Sequence, residues 1–278
     1  MRHGAGMRGV CRSSEVAKCT RFGGETAVGA DVPRRRAALH VQGPVATIRS
    51  PMSDWLIRIL RPAAFAWTRL CYRVELEGLE NVPANGAVVL TPNHVTYLDP
   101  IWASVAIERR IYYMAWDAIF RIPILSSLVR ACGAFPVRLQ GHDKAAMREA
   151  RCHLAAGRAL MVFPEGGRTT THQLMPFKAG AFRLALVAGV PVVPVSIDGG
   201  FDIWPPGTVF PKLFGRIRIV YHPAIPVEKA PENADFAELR HRARELADEA
   251  HDAVARSLDP SRVPKRAHAE LRDTEVNA

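Results

Sequence analysis

The segment at residues 93–100, NHVTYLDP, combines a histidine with a carboxylate five positions later. On a straight helix, His94 and Asp99 would lie about 140° apart, so a helix cannot pair their side chains. Asp99 followed by Pro100 is instead typical of an N-cap with proline at the first helical position, which leaves His94 on the preceding loop. A tight turn there would bring the two side chains together. Such a pair can act as a general base, because the carboxylate holds the imidazole tautomer whose free nitrogen accepts a hydroxyl proton.

A second polar segment, FPEGGRT at residues 163–169, follows a short apolar run that is typical of a buried strand. Ligands of α/β proteins bind beyond the carboxyl ends of strands, so this segment stands where a site would form. Gly166 and Gly167 permit close approach of the backbone to a ligand, and Arg168 offers a planar fork for a phosphate group. The chain contains no Gly-x-Ser-x-Gly motif, so we expect the activated hydroxyl to belong to a substrate. A simple turn here, and a capping or core role for His94, are the alternatives.

Apolar runs alternate with helical patterns along the chain, which predicts an α/β fold with a central mixed sheet flanked by helices. We expect strands at residues 87–90, 133–137, 160–163, 192–197 and 217–221. We expect helices at residues 143–156, 179–188 and 235–257. Gly157 and Gly189 follow the first two helices where a C-cap is needed, and Asp235 with Glu238 has the spacing of a capping box.

Residues 54–73 form an amphipathic pattern, with arginines on one side and apolar residues on another. The apolar side contains Leu56, Ile59, Leu60, Ala63, Trp67 and Leu70. This pattern predicts an interfacial amphipathic helix, within residues 52–75, that lies in one leaflet of a membrane. An ordinary helix packed on the domain is the alternative. No spanning helix is expected, because the longest apolar run, residues 184–197, is shorter than the roughly 20 residues that a membrane requires.

The net charge of +10 is concentrated in residues 1–51, which hold nine Lys and Arg against three Asp and Glu. This segment has no helical or strand periodicity and is predicted to be a disordered basic extension. Translation from Met52 is a second interpretation, because periodic structure begins directly after it. A basic charge fits nucleic acid, an anionic lipid surface or an acidic substrate, and composition alone does not choose among them. No zinc-finger spacing or RNA-binding aromatic motif accompanies it, so no nucleic-acid partner is expected. Residues 76–258 would form the main domain and residues 259–278 a disordered tail.

The ordered pair NHxxxxD and FPEGGRT resembles the first and third sequence blocks of the glycerolipid acyltransferase family, typified by bacterial 1-acyl-glycerol-3-phosphate acyltransferase. Residues 133–138, GAFPVR, are similar to the family's second block, and residues 190–195, VPVVPV, to its fourth. The resemblance covers residues 76–226 and rests on four blocks in the same order. It implies that residues 76–258 are an acyltransferase domain.

The resemblance also implies a role for each matching residue. His94 would deprotonate the acceptor hydroxyl, and Asp99 would orient its imidazole. Arg138 and Arg168 would bind the phosphate of the acceptor. Lys178 resembles a basic position after the third block and would add to phosphate binding; a solvated lysine at a helix start is the alternative.

Glu165 and Gly166 are implied to shape the loop between the base and the phosphate site. Three positions depart from the family pattern. Gly167 replaces a threonine, which loosens the loop and is relevant to acceptor choice. Thr96 replaces a frequent serine but keeps the hydroxyl. A Pro-Val pair precedes Arg138 where Ile-Asp is more usual, which makes the role of Arg138 less secure than that of Arg168.

The implied reaction moves a fatty acyl group from acyl-CoA or acyl-carrier protein to the hydroxyl of lysophosphatidic acid, giving phosphatidic acid in phospholipid biosynthesis. No cofactor and no metal are expected, since His94, Glu165 and His172 lack the spacing of a zinc site. Widely spaced cysteines without a CxxC pair indicate reduced thiols in a cytosolic setting. Together with the predicted interfacial helix, they lead us to expect a monotopic enzyme on the cytoplasmic face of a membrane. Another lyso-lipid acceptor, a catalytically silent lipid-binding protein and a hydrolase are the alternatives.

Overall fold

The central strands are apolar along most of their length, which is typical of strands covered on both faces. All five residues of Val88–Pro92 are buried. The computed structural model describes residues 51–138, 143–231 and 233–264. Within these residues one sheet contains seven strands: β1 Tyr72–Glu77, β2 Val88–Pro92, β3 Ile111–Trp116, β4 Ala134–Val137, β5 Ala159–Met161, β6 Val192–Asp198 and β7 Gly215–Tyr221.

The strands lie in the order β1-β7-β6-β2-β5-β3-β4. Neighbouring strands are parallel, except that β6 and β7 are antiparallel. The carboxyl ends of β2, β3, β4, β5 and β6 therefore share one edge of the sheet, and the segments that follow β2 and β5 are neighbours there. This arrangement confirms the predicted α/β class with a central mixed sheet.

Helices cover both faces of the sheet. They are α1 Pro51–Cys71, α2 Asp99–Val105, α3 Pro123–Ala131, α4 Lys144–Ala155, α5 Gly180–Ala188, α6 Gly200–Ile203 and α7 Phe236–Ser257. On one face the sheet packs against α2, whose Trp102 is fully buried. On the other face it packs against α4, α5 and α7. Asp143 and Asp235 cap α4 and α7 with their side chains; the cap at Asp235 was predicted, whereas Asp143 was predicted only as the start of its helix.

The predicted helix at residues 54–73, and the predicted interface segment at residues 52–75, both extend too far. α1 ends at Cys71, and β1 begins at Tyr72. β1 pairs in parallel with β7, from Tyr72 with Gly215 to Glu77 with Val220. The N–H and C=O groups of these residues form hydrogen bonds with β7, so they are not available for a longer helix.

The apolar side of α1 faces away from the sheet in the part whose side chains are described. Ile59, Trp67 and Leu70 are exposed, whereas Thr68 is buried. Arg61 holds the helix to the domain by donating to the carbonyls of Val105 and Glu108. The helix is thus held on the domain while part of its apolar side stays exposed, so the interfacial location stays a prediction beside the alternative of an ordinary packed helix. No helix in the described ranges is both long and apolar enough to cross a membrane.

The predicted tail at residues 259–278 begins too early. Residues Pro260–Arg262 form a 3-10 helix, and the carbonyl of Arg262 accepts the N–H of Leu174. The guanidinium of Arg262 pairs with Asp198 and Asp202, which joins this segment to the end of β6. Residues 265–278 lie outside the described residues, as does the predicted basic extension at residues 1–51 except Pro51, which begins α1. The interpretation of Met52 as the start stays a prediction.

Candidate active site

The loop after β2 begins with an asparagine that links two strands. Asn93 is buried; its side-chain amide donates to the carbonyl of Ile197 at 3.0 Å and accepts the N–H of Ile197 at 2.7 Å. These bonds continue the pairing of β2 with β6 beyond Pro92, which has no N–H to donate. The side chain of Asn93 thereby fixes the point where the chain leaves the sheet, immediately before His94.

His94 and Asp99 meet in this loop. The Nδ1 atom of His94 lies 2.8 Å from Oδ2 of Asp99. A carboxylate beside Nδ1 keeps the hydrogen on that nitrogen, so Nε2 carries the free lone pair. The side chain of His94 is 18% exposed and that of Asp99 is 0% exposed. The imidazole is therefore open to a substrate, while the carboxylate that orients it is shielded from water.

Asp99 does not occupy the N-cap that the sequence indicated. Leu98 is the N-cap, and Asp99 is the first residue of α2. The carboxylate turns back to the loop and accepts the N–H groups of Val95 and Thr96 at 2.6 and 2.7 Å. The hydroxyl of Thr96 donates to its other oxygen at 2.8 Å, so threonine supplies the hydroxyl that the family's serine would supply. The tight turn is formed by these bonds rather than by a cap.

Glu165 joins the loop after β5 to the loop after β2. It is 4% exposed, and its carboxyl group accepts the N–H of His94 at 2.7 Å and the N–H of Met175 at 3.4 Å. Burial raises the pKa of Glu165 to about 8; the two N–H donors lower it and the charge of Asp99 raises it further. The carbonyl of His94 accepts the N–H of Thr169 at 2.9 Å. The backbone of His94 is thus held on both sides by the FPEGGRT loop.

The ring of His94 stacks on Phe163, with 4.1 Å between the ring centroids. Phe163 is the first residue of the FPEGGRT loop and is partly buried. The stack fixes the plane of the imidazole, while Asp99 fixes its rotation within that plane. Both constraints limit the directions in which Nε2 can accept a proton.

Arg168 lies over the ring of Tyr97, with the guanidinium carbon 3.4 Å from the ring centroid. Tyr97 also contacts Trp204 edge to face, at 5.3 Å between centroids. A guanidinium that stacks on an aromatic face keeps its N–H groups directed outward in the plane of the stack. Arg168 is therefore held beside the His94 loop with donors left to bind a phosphate.

Gly166 and Lys178 are in close contact. The backbone of Gly166 has a φ of +73°, in the left-handed region that favours glycine. A Cβ at this position would lie 2.5 Å from Nζ of Lys178. The N–H of Lys178 donates to the carbonyl of Pro164 at 2.8 Å. The loop after β5 therefore carries two cationic groups, Arg168 and Lys178, next to the loop that carries His94.

Comparisons with known proteins place both loops within a region shared with one protein family. A family model described as acyltransferase matches residues 73–198, which contain both loops. A chloroplastic 1-acyl-sn-glycerol-3-phosphate acyltransferase from Brassica napus is 30% identical over 68% of this chain and 52% of its own length. A 1-acyl-sn-glycerol-3-phosphate acyltransferase from Chlamydomonas reinhardtii is 33% identical over 72% of this chain and 57% of its own length. Residues 73–198 are an acyltransferase-family domain.

A solved structure shares the fold of this chain. The 1-acyl-sn-glycerophosphate acyltransferase PlsC from Thermotoga maritima superposes with a TM-score of 0.57 and is 25% identical, over 74% of this chain and 83% of that chain. The chain spans only slightly more than half the length of the two plant and algal relatives, at 52% and 57%.

Arg138 is separated from the other predicted site residues of the acyltransferase domain. It follows β4, the edge strand, and β3 lies between β4 and β5. Its side chain is 68% exposed, and both its Nε and its backbone N–H lie within bonding distance of Asp143, at 3.4 and 3.0 Å. The structure brings together His94, Asp99, Glu165, Gly166, Arg168 and Lys178, and the phosphate-binding role of Arg138 stays a prediction.

Several residues that complete the candidate site had no predicted role. Asn93 and Tyr97 stand inside the NHVTYLDP segment, Phe163 begins the FPEGGRT segment, and Trp204 follows α6. The first three lie within the two predicted segments, so their position in the sequence could have indicated a role. Within the described ranges no three His, Cys, Asp or Glu side chains are grouped so that they would hold a metal ion.

Proposed function

We propose that this chain is an O-acyltransferase that moves a fatty acyl group from a thioester donor to the hydroxyl of lysophosphatidic acid. The observation that carries the proposal is the His94–Asp99 pair, at 2.8 Å, with Nε2 of His94 free to accept a proton. Arg168 and Lys178 lie on the adjoining loop and supply cationic groups for the phosphate of the acceptor. The names of the relatives support the same acceptor.

In this proposal His94 acts first as a base and then as an acid. Its Nε2 takes the proton of the acceptor hydroxyl as the oxygen attacks the carbonyl carbon of the thioester, which forms a tetrahedral intermediate. The C–S bond then breaks, and the imidazolium returns the proton to the leaving thiolate. The products are the ester and a free thiol, and Asp99 stabilises the imidazolium between the two steps. The donor is acyl-CoA or acyl-carrier protein, and no cofactor takes part.

The exposed apolar side of α1 supports a location on an anionic membrane surface. Ile59, Trp67 and Leu70 are separated by eight and three positions, which places them on one side of the helix. A helix of this kind lies in the interfacial region with its apolar side among the acyl chains. We propose that the enzyme is attached monotopically to the cytoplasmic face in this way, so that a lysophospholipid reaches His94 from the bilayer.

Release of free thiol from acyl-CoA tests the reaction. The purified chain is incubated with acyl-CoA, with and without lysophosphatidic acid. Thiol release that depends on the acceptor is expected. Release without the acceptor would indicate a hydrolase, and no release with either acyl-CoA or acyl-carrier protein would indicate a catalytically silent lipid-binding protein.

The acceptor is tested with a panel of lyso-lipids that share one acyl chain. Lysophosphatidic acid is expected to give the highest kcat/KM, and monoacylglycerol, which lacks the phosphate, is expected to be poor because it leaves Arg168 and Lys178 without a partner. A higher kcat/KM for another lysophospholipid would assign the enzyme to that acceptor. Gly167 makes this panel informative, since a Cβ at that position would meet no atom within 4 Å and the site has free space there.

A further inference from the structure

The segment between α6 and β7 exposes large apolar side chains at the active-site edge of the sheet. Val209, Phe210, Leu213 and Phe214 are 72–81% exposed, although each is an apolar residue of a kind that is usually buried. We refer to these four side chains as the 209–214 cluster. An exposed group of this kind marks a contact with a partner or with a membrane.

The backbone of this segment is held in place by bonds to the domain. The N–H of Lys212 donates to the carbonyl of Ile203 at 2.9 Å, and the hydroxyl of Tyr72 donates to the carbonyl of Lys212 at 3.1 Å. The indole N–H of Trp204 donates to the carbonyl of Thr208 at 3.1 Å. The exposure of the 209–214 cluster is therefore a property of a braced loop that directs these side chains outward.

Basic side chains lie between Phe214 of the cluster and α1. A groove between the end of α1 and the loop is lined by Leu70 and Phe214 together with Arg69, Arg73 and Arg216. The guanidinium of Arg216 is paired with Glu75, so Arg69 and Arg73 are the groove residues that supply positive charge for an anionic surface. Leu70 is 81% exposed and belongs to the apolar side of α1. Lys212 is also exposed, between Phe210 and Phe214 in the sequence. Apolar side chains with cationic neighbours match the acyl region and the anionic headgroups of a bilayer.

The cluster is also linked to the catalytic loops. Trp204, which precedes it, contacts Tyr97, and Tyr97 supports Arg168. We infer that the 209–214 cluster is a second membrane contact, which inserts into an anionic lipid surface beside the groove that Leu70 and Phe214 line. It extends the membrane location proposed above from α1 alone to two contacts, one on each side of the groove.

Vesicle binding tests the inference without turnover, so its outcome is separate from that of acyl transfer. The full chain is sedimented with vesicles of phosphatidylcholine that contain phosphatidylglycerol. Replacing two exposed rings, in the double variant Phe210→Ser with Phe214→Ser, is expected to weaken binding roughly a hundredfold, because two large side chains no longer enter the acyl region. Phe236→Ser is the matched control, since Phe236 is equally an exposed phenylalanine but stands at the start of α7.

A charge variant and a mass measurement complete the test. Lys212→Glu is expected to weaken binding to vesicles with phosphatidylglycerol and to leave the weaker binding to pure phosphatidylcholine unchanged. Thiol release with short-chain, monomeric substrates is expected to stay at the wild-type rate in all of these variants. Unchanged vesicle binding of the double variant would overturn the inference. The molecular mass of each protein in solution is also measured. If the wild type is a dimer, the double variant is a monomer and vesicle binding is unchanged, the cluster is a contact between two copies instead.

Discussion

His94 has one ring nitrogen bound to Asp99 and the other free, so removal of the ring removes the proposed proton acceptor. His94→Ala is expected to lower kcat for acyl transfer by about a hundredfold to ten-thousandfold, the usual effect of losing a general base. The control is His241→Ala, which removes an exposed histidine from α7. Turnover near that of the wild type in His94→Ala would exclude this ring from the reaction.

Arg168 is supported by the ring of Tyr97 and is proposed to hold the acceptor phosphate. Arg168→Ala is expected to raise KM for the lysophospholipid more than KM for the thioester, because only the acceptor loses a charged partner. Tyr97→Leu is expected to cause a smaller rise in the same KM, and Tyr97→Phe, which keeps the aromatic face, little change. Steady-state kinetics with each substrate varied in turn measure both effects. Equal losses for donor and acceptor would contradict a phosphate role.

The two neighbouring glycines of the FPEGGRT loop provide an internal comparison. Gly166→Ala is expected to destabilise the protein by about 1–2 kcal/mol, because its left-handed backbone disfavours any Cβ. It is also expected to weaken acceptor binding, since the new Cβ displaces Nζ of Lys178. Gly167→Ala is expected to change stability by less than about 0.5 kcal/mol, because its Cβ would meet open space. Denaturant unfolding and acceptor KM of the two variants are the measurements.

At the scale of elements, the loops after β2 and β5 depend on each other. The carboxyl group of Glu165 accepts the N–H of His94, and the carbonyl of His94 accepts the N–H of Thr169. The parallel pairing of β2 with β5 is what brings the two loops side by side. A buried carboxyl group at this junction makes the stability of the site depend on pH.

The free energy of unfolding of the wild type is expected to fall as the pH rises, and Glu165→Gln is expected to abolish this fall. Burial raises the pKa of Glu165 to about 8 in the folded state, whereas the carboxyl group ionises near its ordinary pKa of 4.5 in the unfolded chain. Between these values the folded state binds more protons, so the free energy of unfolding falls as the pH rises toward 8. The melting temperatures of the wild type and of Glu165→Gln are measured at about pH 5 and about pH 8.5, near the two ends of this pH range. The wild type is expected to lose more stability between the two pH values than the variant. A parallel pH dependence in both proteins would contradict it.

At the scale of the whole molecule, residues after α7 close the structure by returning to the end of β6. Arg262 has a side chain that is 16% exposed, and it pairs with Asp198 and with Asp202, the latter at 2.7 Å. The backbone of Arg262 also accepts the N–H of Leu174 at 2.8 Å. The segment therefore joins β6, α6 and the end of the FPEGGRT region.

Arg262→Ala is expected to lower the free energy of unfolding by about 1–3 kcal/mol, because partly buried Asp198 loses its charged partner. Arg240→Ala, which removes an exposed arginine from α7, is the control and is expected to have little effect. Denaturant unfolding of both variants measures the effect. Equal stability of the two variants would show that the ion pairs of Arg262 do not stabilise the fold.

The sequence by itself determined the features that depend on neighbouring residues. Gly157 and Gly189 have positive φ after α4 and α5, and Asp143 and Asp235 cap their helices. The NHVTYLDP and FPEGGRT segments indicated a base and a phosphate site, because strand ends followed by these residues are recognisable locally. Two strands were missed: the predicted helix continued to Arg73, over the first two residues of β1, and no strand was predicted at Ile111–Trp116, which forms β3.

Only the tertiary structure decided which distant residues share the site. The strand order placed the loop after β5 beside His94 and placed Arg138 beyond β3, although both positions stood equally in family-like segments. Burial, which raises the pKa of Glu165, and the outward direction of Leu70 and Phe214 likewise depend on what packs around each side chain. These properties arise from contacts between residues far apart in the chain, and periodicity and spacing do not contain that information.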